Sequence, residues 1–192
     1  LVVEALKELS DVLQQLLTLS AFLPSPFSID VLSAALEACG DASAAQCAYT
    51  TLRSNASKRT SVEMPPTVSE SLVAEVQKAV QKGFLTSRSG IESDLVYAFS
   101  HERIRQSALL LIEERCRSKV GFAVGQALLR LGESGNDHLL YAGVDLLNSV
   151  PENAQKLDRE AMCDVNMHAG HAATDAKAFL AAQKYFERAI KF

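Results

Sequence analysis

The 192 residues are 48% hydrophobic, which is enough apolar material to bury the core of one domain or of two small ones. A formal net charge of -4 leaves no basic excess for nucleic acid or an anionic membrane surface as the main partner. No stretch of about 18 uninterrupted apolar residues exists to span a bilayer, and Cys39, Cys47, Cys116 and Cys163 lie far apart without a CxxC pair, so neither a zinc site nor a disulfide framework is signalled and a reduced, cytoplasmic setting fits.

The opening "LVVEALKELSDVLQQLLTLSAFL" has a helical period, with Leu6, Leu9, Leu13, Leu16 and Leu17 on one stripe and Pro24 and Pro26 to stop it. A second helix is expected from Ser28, whose hydroxyl can cap "IDVLSAALEAC", to Gly40. Residues 41 to 66 are rich in Ala, Ser and Thr without a stripe and read as a flexible insertion. Within it, "SKRTS" sets basic residues ahead of Thr60 and Ser61, a pattern that suits a basophilic kinase and that is also common by chance. Asn55 opens a glycosylation sequon, "NAS", in a chain with no sign of secretion.

Thr67 and Glu70 have capping-box spacing before a third helix, with Leu72, Val73, Val76, Ala79 and Val80 inward and Gly83 closing it. The strand-like material follows: "FLTS", a turn at "RSGIESD", and "LVYAF". Three helices and a hairpin, in that order, predict a winged helix over residues 1–114. Ser100 is then expected to cap a helix from His101 to about Glu114, with Ile104, Ala108, Leu111 and Ile112 on one face.

The second unit, residues 115–192, reads as a helical bundle. A helix is expected over 115 to 131, where Gly121 and Gly125 lie one turn apart and would let a neighbouring helix approach closely. Further helices are expected over 137 to 149, 158 to 173 and 175 to 192. In the last pair, Gly170, Ala182, Phe186 and Ala189 fall at the spacing of the small and aromatic positions of a tetratricopeptide repeat. The fold class is therefore mainly α: a winged-helix domain with one small β-hairpin, followed by an antiparallel, TPR-like helical stack. The chain begins without Met and stops inside a helical pattern at "ERAIKF", so it reads as a piece of something larger.

Enzyme motifs are missing: the sequence holds no GxxxxGK[ST] phosphate loop, no GxGxxG, no HExxH and no GxSxG, so no catalytic residue is assigned. His168 and His171 share a helix face at i, i+3 spacing, but no third ligand is in view and no metal site is expected. His101 stands apart because of its place in the first turn of a helix. There the macrodipole disfavours an imidazolium, free backbone N–H groups attract anions, and a neutral imidazole can donate to a phosphate. The plain alternative is that Ser100 caps the helix, Glu102 favours its positive end, and His101 packs against the hairpin.

The stretch "VAEVQKAVQKGFLTSRSGIESDLVYAFSHERIRQSALLLIEERCRSKVGFAVGQALLRL" resembles the region that follows the nucleotide-binding core in signal-transduction ATPases of the STAND class. It is most similar to those attached to serine/threonine kinases, histidine kinases and some adenylyl cyclases. Gly83, Phe84 and Leu85 fit the end of the apolar helix in that family. Phe99, His101, Arg103, Ile104 and Ala108 fit its "F-x-HD-R-[IV]-x-x-A" stretch, with Glu102 in place of the usual Asp, and Gly125, Leu128 and Leu129 fit the next helix.

The resemblance covers about residues 5 to 192, with residues 41 to 66 as an insertion. It implies a non-catalytic regulatory module that couples nucleotide state to an output domain. ATP or ADP with Mg²⁺ would be bound by an upstream nucleotide-binding domain of the same chain, and protein or peptide partners would sit on the helical repeats. Carried over from NB-ARC relatives, His101 becomes the candidate nucleotide sensor, with Glu102 supporting the helix start. A helical-repeat scaffold without nucleotide sensing and a DNA-binding regulator are the alternatives. The last is disfavoured because the third helix sets Glu70 and Glu75 against Lys78 and Lys82.

Overall fold

The computed structural model describes residues 2–41, 68–89, 95–133, 135–151 and 159–192. The insertion, Asn55, Thr60, Ser61, Thr67, the side chain of Glu70 and the hairpin turn at 90–94 lie outside the described residues. The structure is mainly helical with a small three-stranded antiparallel sheet.

The first departure from the sequence reading comes at Ser10. One long opening helix was expected; instead α1 (Val2–Lys7) ends and α2 (Asp11–Ser20) begins. Ser10 has extended backbone angles, and Asp11 places a carboxylate at the positive end of the new helix. The carbonyls freed by the break are taken up by Gln14, whose Nε2 donates to Lys7 O at 3.0 Å and Leu9 O at 2.8 Å. The kink lets both Leu6 and the Leu13, Leu16, Leu17 stripe reach one core.

Past the prolines, Phe27–Ser28 forms a short strand, β1, which the alternation of residues is too brief to reveal. It leads straight into α3 (Ile29–Asp41), where Ser28 Oγ accepts from Val31 N–H as expected of a cap. Helix α4 (Val68–Gln81) buries Leu72, Val76 and Ala79 and ends on Gly83, whose positive φ of 76° makes the reversal that glycine tolerates without strain. Strands β2 (Leu85–Ser89) and β3 (Leu95–Phe99) follow. The sheet order is β1-β3-β2, with Phe27 opposite Tyr97 and Leu85 opposite Phe99. Phe27, Leu85 and Tyr97 turn inward onto the helices.

Helix α5 (Glu102–Leu109) stops five residues earlier than its apolar pattern suggests. Leu111 and Ile112 still pack on the core, but from an irregular bend that lets α6 (Glu114–Gly132) leave in a new direction. Arg117 closes this joint by donating from Nη2 to Leu109 O at 3.0 Å. Helix α6 packs along α3 on one side and α7 (Asp137–Ser149) on the other. Its Val120, Ala123, Val124 and Leu128 complete the apolar cluster built by residues 6 to 112, so one core runs across position 114. Each fully buried leucine or valine in it contributes roughly 1.5–3 kcal/mol relative to exposure.

The glycines on α6 split into two kinds. A Cβ on Gly125 would lie 2.9 Å from the Leu147 side chain and 3.3 Å from Gly143 O, so the close approach expected there is present. At Gly121 the nearest atoms would be 3.6 Å away, an ordinary contact, and no helix presses on it. The chain ends with α8 (Arg159–Asp175) and α9 (Phe179–Ala189), two antiparallel helices with Gly170 under the ring of Phe186. Asn166, fully buried on α8, exchanges two side-chain hydrogen bonds with Asn148 of α7 at 2.8 and 3.1 Å and donates a third to Met162 O at 2.8 Å.

Candidate functional site

The segment around His101 is tied down from behind. Gly83 turns the end of α4, and Ser100 reaches back across it: Oγ donates to Gly83 O at 2.6 Å and lies 3.2 Å from Phe84 O, while Ser100 N–H donates to Phe84 O at 3.0 Å. Ser100 therefore fastens the end of β3 to the end of α4 and does not cap α5. The cap is His101 itself. Its backbone is extended, and Nδ1 accepts from Arg103 N–H at 3.0 Å. An accepting Nδ1 places the proton of the neutral ring on Nε2. The ring is exposed, and among the described residues nothing bonds to Nε2.

The result is an exposed imidazole N–H donor at the positive end of a helix, where the backbone N–H groups of Arg103, Ile104 and Arg105 are already bonded to His101. Glu102 turns the other way. Its carboxylate runs along α5 to Arg105 Nη1 and Gln106 Nε2, both at 3.4 Å, and both side chains of the Glu102–Arg105 pair are substantially exposed. Exposed i, i+3 pairs of this sort are worth a few tenths of a kcal/mol. The hydrogen bonds of the Glu102 carboxylate thus run to Arg105 and Gln106 along the helix.

The remaining histidines do not assemble a centre. His171 lies edge-on to Phe186, with ring centroids 5.3 Å apart, and among the described residues no group of three His, Cys, Asp or Glu side chains converges. On α4, Lys78 pairs with Glu75 at 2.6 Å, which removes part of the positive charge a groove-reading helix needs.

A second concave feature escaped the sequence reading. Helices α7 and α9 enclose an open groove of about 510 Å³ lined by Asp145, Asn148, Lys184, Tyr185, Arg188 and Lys191. Lys184 Nζ sits 3.1 Å from Asp145, and Arg188 Nη2 donates to Asn148 O at 2.9 Å. Burial, then the neighbouring Asp145 carboxylate, hold the Tyr185 hydroxyl well above the usual phenol range, so it stays a neutral donor. The sequence signal for this groove is the basic series Lys184, Arg188 and Lys191 at helical spacing, which carries no motif and becomes meaningful only when α7 lies opposite. No protein-family model matches the chain, and no curated protein or solved structure matches it either. Among the described residues no helix is long and apolar enough to cross a membrane.

Proposed function

We propose that the chain is a non-catalytic regulatory and protein-interaction module of a larger STAND-type ATPase. In this reading a winged helix meets the nucleotide-binding domain and a TPR-like stack passes the nucleotide state to an output domain. The observation that carries it is His101, a capping imidazole whose Nε2–H is left free and exposed where an anion is favoured. A phosphate oxygen held by an upstream domain could accept from that N–H without disturbing the cap.

The element order supports the winged-helix part: α2, β1, α3, α4, β2 and β3, with β1 joining β3, is the order and pairing of that fold. The seating of Gly170 beneath Phe186 supports the repeat-like part. Coupling of this kind needs two packings of the module against its ATPase core.

The test uses the full-length parent protein loaded with a fluorescent ADP analogue. His101→Ala removes both cap and donor, whereas His101→Asn keeps a capping oxygen and loses the Nε2–H. Both variants are expected to release the nucleotide faster. An off-rate unchanged in both would end the sensor role.

The α7–α9 groove favours a second reading, a helical-repeat scaffold that holds peptide partners without nucleotide sensing. Peptide binding that is lost in Lys184→Glu and Arg188→Glu, and that is indifferent to nucleotide in the parent protein, would favour it.

A further inference from the structure

We propose that a pocket between α2, α5, α6 and α7, distant in role from the His101 cap and independent of the regulatory reading above, binds a carboxylate that carries a small apolar body. The cavity is about 270 Å³, room for roughly nine waters at liquid density and so for an acid of comparable bulk. Among the described residues its charged lining residues are Arg105 and Arg117. Both guanidiniums are anchored to backbone carbonyls: Arg105 Nε donates to Ala21 O at 3.0 Å, and Arg117 Nη2 donates to Leu109 O at 3.0 Å.

Neither arginine is fully used. Arg117 lines the cavity and has no acidic partner among the described residues. A guanidinium has five N–H donors, and charge-assisted hydrogen bonds from it to a ligand carboxylate are the strong kind. Arg105 shares its charge with the exposed Glu102 through Nη1 at 3.4 Å, a weak pair that leaves Nη2 available.

The rest of the wall is mostly apolar: Phe22, Leu109, Leu146 and Val150. Gly121 supplies an independent indication. It sits in the interior of α6, where glycine costs about 1 kcal/mol relative to alanine. No neighbour requires the missing Cβ, which would meet Phe22, Leu146 and Val150 at 3.6 to 3.7 Å. The three residues it would touch all line the same cavity, so the absent side chain keeps the cavity open. Two anchored guanidiniums over an apolar wall select a planar, bidentate anion with a hydrocarbon portion, and they discriminate against a bare inorganic anion.

The experiment is a titration of the intact 192-residue chain followed by ¹H–¹⁵N spectra, reading the Gly121 amide and the Arg105 and Arg117 Nε–H signals. The probes are hexanoate, N-acetyl-glycyl-leucine, N-acetyl-leucinamide and inorganic phosphate. The two carboxylates should shift these signals saturably with a Kd of about 1 mM or tighter, and the neutral amide and phosphate should bind at least tenfold more weakly. A peptide acid that binds tenfold better than hexanoate assigns the site to protein C termini, and equal binding assigns it to small free acids. Gly121→Leu should abolish the shifts, and Gly121→Ala, which makes only ordinary contacts, should weaken them while keeping the native spectrum. The proposal is overturned if neither carboxylate saturates, if the amide or phosphate binds as well as the acids, or if the folded Gly121 variants bind unchanged.

Discussion

The same substitution made at two glycines of α6 should move stability in opposite directions. At Gly132 a Cβ would lie 2.6 Å from Leu140 N, 2.8 Å from its Cα and 3.0 Å from its Cβ. Ordinary contact begins near 3.4 Å, so the first turn of α7 must retreat by about 0.8 Å. That turn has little freedom, because Asn136 caps it through Leu139 N–H and its own N–H is tied to Gly132 O at 3.2 Å. Forced overpacking against backbone costs about 1–3 kcal/mol, and the helix-propensity gain of alanine recovers only part of it at a terminal position. A net loss of about 1–2 kcal/mol lowers the Tm of a chain this size by roughly 2–8 °C.

Gly121→Ala meets no such wall. The propensity gain of roughly 0.5–1 kcal/mol should appear almost whole and raise the Tm by about 1–4 °C. Thermal and urea unfolding followed by far-UV circular dichroism on both variants checks the pair. If Gly132→Ala is as stable as the parent, or if Gly121→Ala is destabilised, the packing drawn here for α6 and α7 is wrong.

His101→Ala should cost about 1 kcal/mol of stability through the lost cap, and His101→Asn should restore most of it; equal loss in both variants would mean that Nδ1 does not cap α5. Asn166→Leu removes a fully buried amide and strands the Asn148 side chain, so a loss of about 2–3 kcal/mol in urea unfolding is expected, with the Asn148→Ala, Asn166→Leu double variant less than additive. Burial pushes the Cys39 thiol up to about 12, so it should resist thiol reagents at pH 8 until the chain unfolds. An unfolded thiol loses its proton near about pH 8.5, so the contribution is intact below that pH and declines as pH rises toward the folded value. The slope is up to about 1.4 kcal/mol per pH unit, and it should be absent in Cys39→Ser.

Much of the helical layout is legible in the residues alone, because each long helix carries one apolar stripe that has to be buried. Leu72, Val76 and Ala79 on α4 and the 137–149 helix are examples, and Gly83 marks its reversal as plainly in the sequence as in the structure. The breaks were harder to see. Ser10-Asp11 is a helix-start signal, but the leucine period runs through it, and only the need to bring Leu6 and Leu13 to the same core makes the chain kink. The stop at Leu109 is hidden in the same way, since Leu111 and Ile112 continue the apolar run while the backbone bends to aim α6 along α3.

Sites depended on the tertiary structure to a greater degree. The sequence singled out His101 by its place in the first turn of an expected helix, which is a local property. Its role as the cap, with Ser100 serving another helix, followed from how α4, β3 and α5 meet. Composition and spacing alone established a mainly helical chain of modest net charge with a small sheet near residue 90 and no enzyme motif. The third strand, the groove facing Lys184 and the two arginines at the Gly121 pocket draw on residues up to 129 positions apart (Ala21 to Val150). Periodicity reports which face of a segment is buried, whereas a pocket depends on which faces are brought together, and that is decided only when the helices pack.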